Sequence, residues 1–243
     1  MSRLIRLLLT IVSLSAPLCL GQDDPVQVGT FPIPLMVESP EKGRFIELMQ
    51  RIAQDADLKL NIIVTPAKRA TRFFIQGEID IFLPALEGMI SPEHRVIKSQ
   101  ETIYTKEDFV FTRRGTPLLS SMSDLAGKRI GITRGYPYTP ALLNNKSLKL
   151  ELSSSDEQSV KMLVRGRVDA IVVEEHSGRQ AFKNTGQLDQ MQYNPEQQLS
   201  QMPVYIAYQD TDRGHQLAKL IDKTLRELKS DGSFAKTFHD KSQ

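Results

Sequence analysis

Short apolar runs alternate with stretches of helical periodicity along this chain, and together they predict alternating strands and helices. Val26 to Phe31 alternates and predicts a first strand, followed by a loop holding Pro32 and Pro34. Phe45, Met49, Ile52, Ala53 and Ala56 recur at three- and four-residue spacing and predict a helix. Leu60 to Val64 predicts a second strand. Pro66 suits the first turn of a second helix, which runs through Arg69, Arg72 and Phe73 to Gly77. Ile79 to Leu83, interrupted by Asp80, reads as a strand buried on both faces. A loop from Pro84 to Pro92 follows and ends in the polar cluster Glu93, His94 and Arg95.

Further along, Thr102 to Thr112 reads as two short extended pieces around Lys106-Glu107-Asp108, and Ser123 to Lys128 as one helical turn stopped at Gly127. Arg129 to Thr133 predicts a strand, then a loop from Arg134 to Pro140 and a short helix. Leu148 to Leu152 is another strand. Ser155 and Gln158 make a capping-box pattern ahead of Val160, Leu163 and Val164. Ala170 to Val173 and Val204 to Tyr208 are the last strands. Leu217, Leu220, Ile221, Leu225 and Leu228 share one face of a long final helix, ended by Asp231-Gly232, with Phe234 and Phe238 on a last short helix. Strands alternating with helices argue for an α/β fold with largely parallel sheets.

One phrase occurs twice. Gly77-Glu78-Ile79-Asp80 followed by an apolar strand is echoed by Gly166-Arg167-Val168-Asp169 followed by another. Two similar α/β lobes, each offering a strand-end loop to a shared cleft, would produce this echo, since ligands sit at the carboxyl ends of parallel strands.

Composition changes this picture little. The chain has 243 residues, 40% hydrophobic and 25% charged, enough for one large or two small domains. Its 31 Lys and Arg against 29 Asp and Glu argue against a nucleic-acid binder, and Arg3 and Arg6 carry the difference. Those two arginines precede an apolar core from Leu7 to Leu14, too short to span a bilayer, and then Ser15, Ala16 and Pro17. Residues 1–21 therefore read as a cleaved secretory signal. The one cysteine, Cys19, lies inside it, so a mature chain starting near Gln22 has no thiol or disulfide chemistry.

Two runs resemble the family 3 periplasmic solute-binding proteins, the amino-acid receptors of ABC importers. One is Asp80 through Tyr104 with Ser91-Pro92-Glu93-His94-Arg95 and Ile103-Tyr104. The other is Ser123-Asp124-Leu125-Ala126-Gly127-Lys128-Arg129-Ile130-Gly131-Ile132. The resemblance implies the type II periplasmic-binding-protein fold, two α/β lobes joined by a two-strand hinge. Lobe 1 would hold residues 22–110 and 207–243, and lobe 2 residues 111–206, with the hinge near Phe109–Arg113 and Val204–Tyr208. It also implies a monomer in the periplasm, an amino acid or related small carboxylate held between the lobes, an inner-membrane ABC permease as partner, and no cofactor.

The candidate ligand residues follow from both readings. Arg95 is the first, because a guanidinium grips a carboxylate with two parallel hydrogen bonds. Glu174, with Glu175 as its alternative, closes the echo strand where the family places an acid for an amino group. Arg134 and Tyr136 sit where a strand meets a helix start, a place for free backbone N–H groups and anions. Phe31 would cover the ligand from lobe 1, and Glu87 and Arg69, with Arg72 beside it, are further candidates. The sequence departs from the family at Pro84 to Glu87 and at Ala67 to Arg69, which opens the ligand class to a more polar or doubly charged ligand. No catalytic motif or metal cluster is legible among the scattered histidines, so the expectation is a non-enzymatic binding protein. The alternatives are a cyclohexadienyl-dehydratase-like enzyme using Glu87 or Glu174, or a ligand-sensing module for a membrane partner.

Overall fold

The computed structural model describes residues 24–238; the expected signal and Cys19 lie outside the described residues. Its first half runs β1 (Val26–Thr30), α1 (Arg44–Asp55), β2 (Leu60–Val64), α2 (Ala67–Ile75), β3 (Ile81–Ala85), β4 (Val96–Lys98) and β5 (Tyr104–Arg113). The second half runs β6 (Arg129–Thr133), α3 (Pro140–Leu143), β7 (Lys149–Ser153), α4 (Asp156–Val164), β8 (Ala170–Glu174), α5 (Glu175–Asn184), β9 (Met191–Gln192), β10 (Ser200–Gln209), α6 (Asp212–Ser230) and α7 (Ser233–Phe238).

The strands form two halves of the same design. The first has the order β2-β1-β3-β10 and the second β7-β6-β8-β5. In each, three strands are parallel and the fourth is antiparallel to its neighbour. The two antiparallel strands pair with each other, Tyr104–Asp108 against Ser200–Val204, and join the halves. This ribbon lies earlier in both strands than the expected hinge. Asp108–Phe111 already pairs with β8, and Tyr205–Tyr208 with β3. The two extended pieces expected around Lys106 are one continuous strand, because every residue from Tyr104 to Phe111 finds a ladder partner.

The repeated phrase has a structural explanation. Gly77 and Gly166 end α2 and α4 with φ of 76° and 67°, conformations that glycine adopts without steric penalty. The same two closing bonds follow in both places, from Gly77 N to Phe74 O and Glu78 N to Phe73 O, and from Gly166 N to Leu163 O and Arg167 N to Met162 O. The two aspartates then pin the beginning of the neighbouring strand. Asp80 accepts Gln27 N–H at 2.9 Å, and Asp169 accepts Arg129 N–H at 2.8 Å.

Asp169 adds Arg129 Nε at 3.2 Å and Nη2 at 2.7 Å, and this hydrogen bonding holds its carboxyl below the usual carboxylate range. A depressed carboxyl stabilises the fold above the unfolded-state range and loses that contribution as pH falls through its folded value. The ion pair is partly exposed, which limits its worth. Asp169→Ala should therefore destabilise by about 1–2 kcal/mol at pH 7. Urea unfolding should show this gap closing as pH falls through and below the usual carboxylate range, where the wild-type carboxyl takes up its proton as well.

Separate cores sit under the two halves. The first draws on Val26, Phe45, Met49, Ile81, Leu83, Ile206, Ile221 and Leu225. Those of the second draw on residues between Phe109 and Phe182, including Ile130, Leu142, Val160 and Ile171. α6 takes the face predicted for it, burying Leu217, Ile221, Leu225 and Leu228, with Thr211 Oγ1 capping its start at Gly214 N.

Candidate ligand cleft

The parallel strands of both halves end toward one cavity. From the first half it is lined by Phe31, Pro32, Ile33 and Pro34 after β1, by Met36 and Phe45, and by Pro84 and Leu86 at the end of β3. From the second half come Tyr136 and Pro137 after β6, Glu174 at the end of β8, and Ser177 in α5. Tyr104, Lys106 and Val204 enter from the joining ribbon. The β1 and β3 side is almost wholly apolar, and the polar groups gather on the ribbon and the second half.

Glu174 caps α5, its Oε2 accepting Ser177 N–H at 2.9 Å. A helix start is a favourable place for a carboxylate. Glu175 is turned away, accepting the Tyr193 hydroxyl at 2.6 Å. The neighbouring acids are thus divided, one facing the cavity and one facing Tyr193.

Lys106 is the cation on this lining. Its side chain is 12% exposed and is hydrogen-bonded to Asp108, which is fully buried. It also donates to Pro137 O at 3.2 Å and lies 5.2 Å from the centre of the Tyr138 ring. Asp108 is held from the other side by Ser200 Oγ at 3.1 Å. Residues two apart on a strand share a face, so Lys106 and Asp108 meet without bending the backbone.

Tyr136 lies at the mouth. Burial, reinforced by the nearby negative charge of Asp156, pushes its phenol up. Burial likewise pushes the Asp156 carboxyl up, against the hydrogen bond that Thr133 Oγ1 donates to it. Asp156 is 8% exposed and serves to fix Thr133. Beyond Tyr136 and Pro137 the cleft widens into an outer chamber lined by Lys68, Thr71, Arg72, Met89 and Gly135.

The structure brings Phe31, Tyr136 and Glu174 together on the cavity. It places the other sequence candidates elsewhere. Arg95 is 88% exposed and paired with Asp210 at 3.0 Å. It precedes β4, whose Val96 pairs with Gln209 at the end of β10. Since β10 is antiparallel to β3, that end of the sheet is opposite the cavity. The long loop expected after Leu83 is shorter than its sequence suggests: β3 continues through Pro84 and Ala85, and β4 then returns alongside β10. Arg134 is exposed, and the N–H groups expected to be free beside it are used, Arg134 N by Ser153 O and Tyr136 N by Thr133 O. Glu87 and Arg69 are exposed and line neither chamber, whereas Arg72 lines the outer one. Lys106 was missed because the Lys-Glu-Asp triplet looked like a break between strands; its i, i+2 opposite charges were the available signal. Among the described residues, no group of three or more His, Cys, Asp or Glu is arranged to hold a metal ion.

No family model matches the chain. A curated Vibrio harveyi protein named as an amino-acid ABC transporter-binding protein, PatH, is 20% identical over 207 residues, covering 85% of this chain and 82% of that protein. The ligand-binding core of GluR0 from Nostoc punctiforme, solved with L-glutamate, superposes with a TM-score of 0.69 at 20% identity, covering 88% of this chain and 97% of that one. An arginine-binding protein from T. maritima superposes at 0.66 and 20% identity, covering 87% and 92%. A histidine kinase sensor domain with similarity to periplasmic binding proteins superposes at 0.68 and 16%, covering 89% and 95%. The Vibrio relative is named as a binding protein and the GluR0 structure as a ligand-binding core.

Proposed function

We propose that this chain, which has the two-lobed type II periplasmic-binding-protein fold, is an exported solute-binding protein that captures an amino acid between its lobes. The observation that carries this reading is the placement of one carboxylate, Glu174, and one ammonium, Lys106, on the same cavity. A lysine ammonium has three donors. Asp108 and Pro137 O take two of those on Lys106, and the third serves a ligand carboxylate. Glu174 gives one lone pair to Ser177 N–H and keeps others for a ligand ammonium. Phe31 and Tyr136 cover the ligand from opposite lobes, and closure about the ribbon favours the bound form. Calorimetric titration with the twenty common amino acids should find at least one that binds. Silence across the whole set would end the proposal.

The crossings between lobes are best drawn within 104–108 and 200–204, so residues 109–110 go with lobe 2 and 205–206 with lobe 1. Residues 1–21 are proposed as a cleaved leader, and the exported protein should begin near Gln22 on N-terminal sequencing; an intact Met1 would refute it. An inner-membrane ABC permease is the proposed recipient, in line with the name of the Vibrio relative. Uptake of the bound amino acid should fall when the gene is deleted.

Arg95, Arg134, Glu87 and Arg69 have no part in this reading. Arg95→Ala should leave ligand affinity within about twofold, since rim and remote charges contribute little to binding at a distant site. A tenfold or greater loss in titration would return Arg95 to the site.

A further inference from the structure

We infer that the amino acid taken by this cleft carries an uncharged, apolar side chain; this rests on the solute-binding reading above and narrows it. The inner cavity has one carboxylate and one ammonium on its lining, and the backbone of a zwitterionic amino acid consumes both. A third ligand charge would have no partner there. Asp108, fully buried, is occupied by Lys106 and Ser200. Asp156 is occupied by Thr133 and is not on the lining. An unpaired charge in a water-excluding cleft is strongly unfavourable, so glutamate and arginine are rejected by what is missing.

The remaining wall says what is accepted. Phe31, Ile33, Pro34, Met36, Pro84 and Leu86 face the space opposite Glu174 and Lys106. None of these side chains has a hydrogen-bonding group except the weakly accepting Met36 sulfur. Leu86, Met36 and Phe45 belong to or pack into the lobe-1 core, which fixes the shape of the wall. An aliphatic or aromatic side chain leaves water for such a surface favourably, whereas a polar one loses its hydrogen bonds on entering.

The experiment is calorimetric titration of the wild-type protein with leucine, methionine, phenylalanine, glutamate and arginine. At least one of the first three should bind ten or more times tighter than glutamate and arginine. Ile33→Asp should reverse the order in favour of arginine by supplying the absent partner charge on a loop outside the sheets. Glutamate binding as tightly as the apolar three would overturn the inference and would implicate Lys68 and Arg72 of the outer chamber. Arginine binding as tightly would overturn it likewise. Both of those results leave the solute-binding reading standing, whereas no binding by any amino acid removes both.

Discussion

Replacing Lys106 by methionine should lower the thermal midpoint by about 6–20 °C. The substitution keeps the length and apolar stem of the side chain and removes its charge. Asp108 would then be a fully buried carboxylate whose remaining side-chain partner is Ser200. Removing one member of a buried ion pair costs about 3–5 kcal/mol. In a chain of this size each kcal/mol is worth roughly 2–4 °C. The double variant Lys106→Met/Asp108→Asn should recover most of the loss, because the amide still accepts from Ser200 and carries no charge. Calorimetric melts of the wild type, single and double variants decide the matter. A single variant as stable as the wild type would mean that Lys106 and Asp108 are not energetically coupled.

Glu174→Gln should weaken ligand binding by about thirty- to several thousand-fold, equivalent to about 2–5 kcal/mol for truncating one partner of a desolvated ion pair. The glutamine retains an oxygen for Ser177 N–H, so the change of helix capping should cost no more than about 1 kcal/mol of stability. Glu175→Gln is the matched control. Its carboxylate is engaged by Tyr193 outside the cavity, and affinity should stay within about twofold of wild type. Equal losses in the two variants would show a general loosening of the start of α5, not a contact with ligand.

Much of the fold was legible because each lobe is written in local signals. The apolar runs, the Ser155 cap, the glycine stops after α2 and α4 and the amphipathic face of α6 all sit where the pattern put them. The repeat of Gly-x-x-Asp was legible too, and its cause is that each aspartate ties two parallel strands together. What escaped was long-range. β4 is three residues long and exists because β10 offers it an edge, which no periodicity announces. The same holds for Arg95: its distance from the cavity depends on the direction of β10, a partner more than a hundred residues away. Glu174 could be named from its place at a strand end, but choosing it over Glu175 required knowing that Tyr193 comes back to claim the second acid. The apolar lobe-1 wall is assembled from the loop after β1, helix α1 and the end of β3, so no single stretch of sequence shows it.

The two cores also differ in when they can exist. The fully buried residues of the second lobe's cores have all been made by Phe182, and the side chains packed against them by Leu199. The first needs Val204, Ile206 and Tyr208 from β10 and then Leu217, Ile221, Leu225 and Leu228 from α6. At a synthesis rate of roughly 5–20 residues per second, it stays unfinished for seconds after the second lobe has all its parts. Until Gln209 has been made β3 lacks the strand that covers its free edge, and until α6 is complete the apolar face of α1 lacks its partner helix. The nascent chain therefore emerges with its later-encoded lobe ready to fold and its earlier-encoded lobe still open, available to a chaperone or an export channel until the last long helix is released.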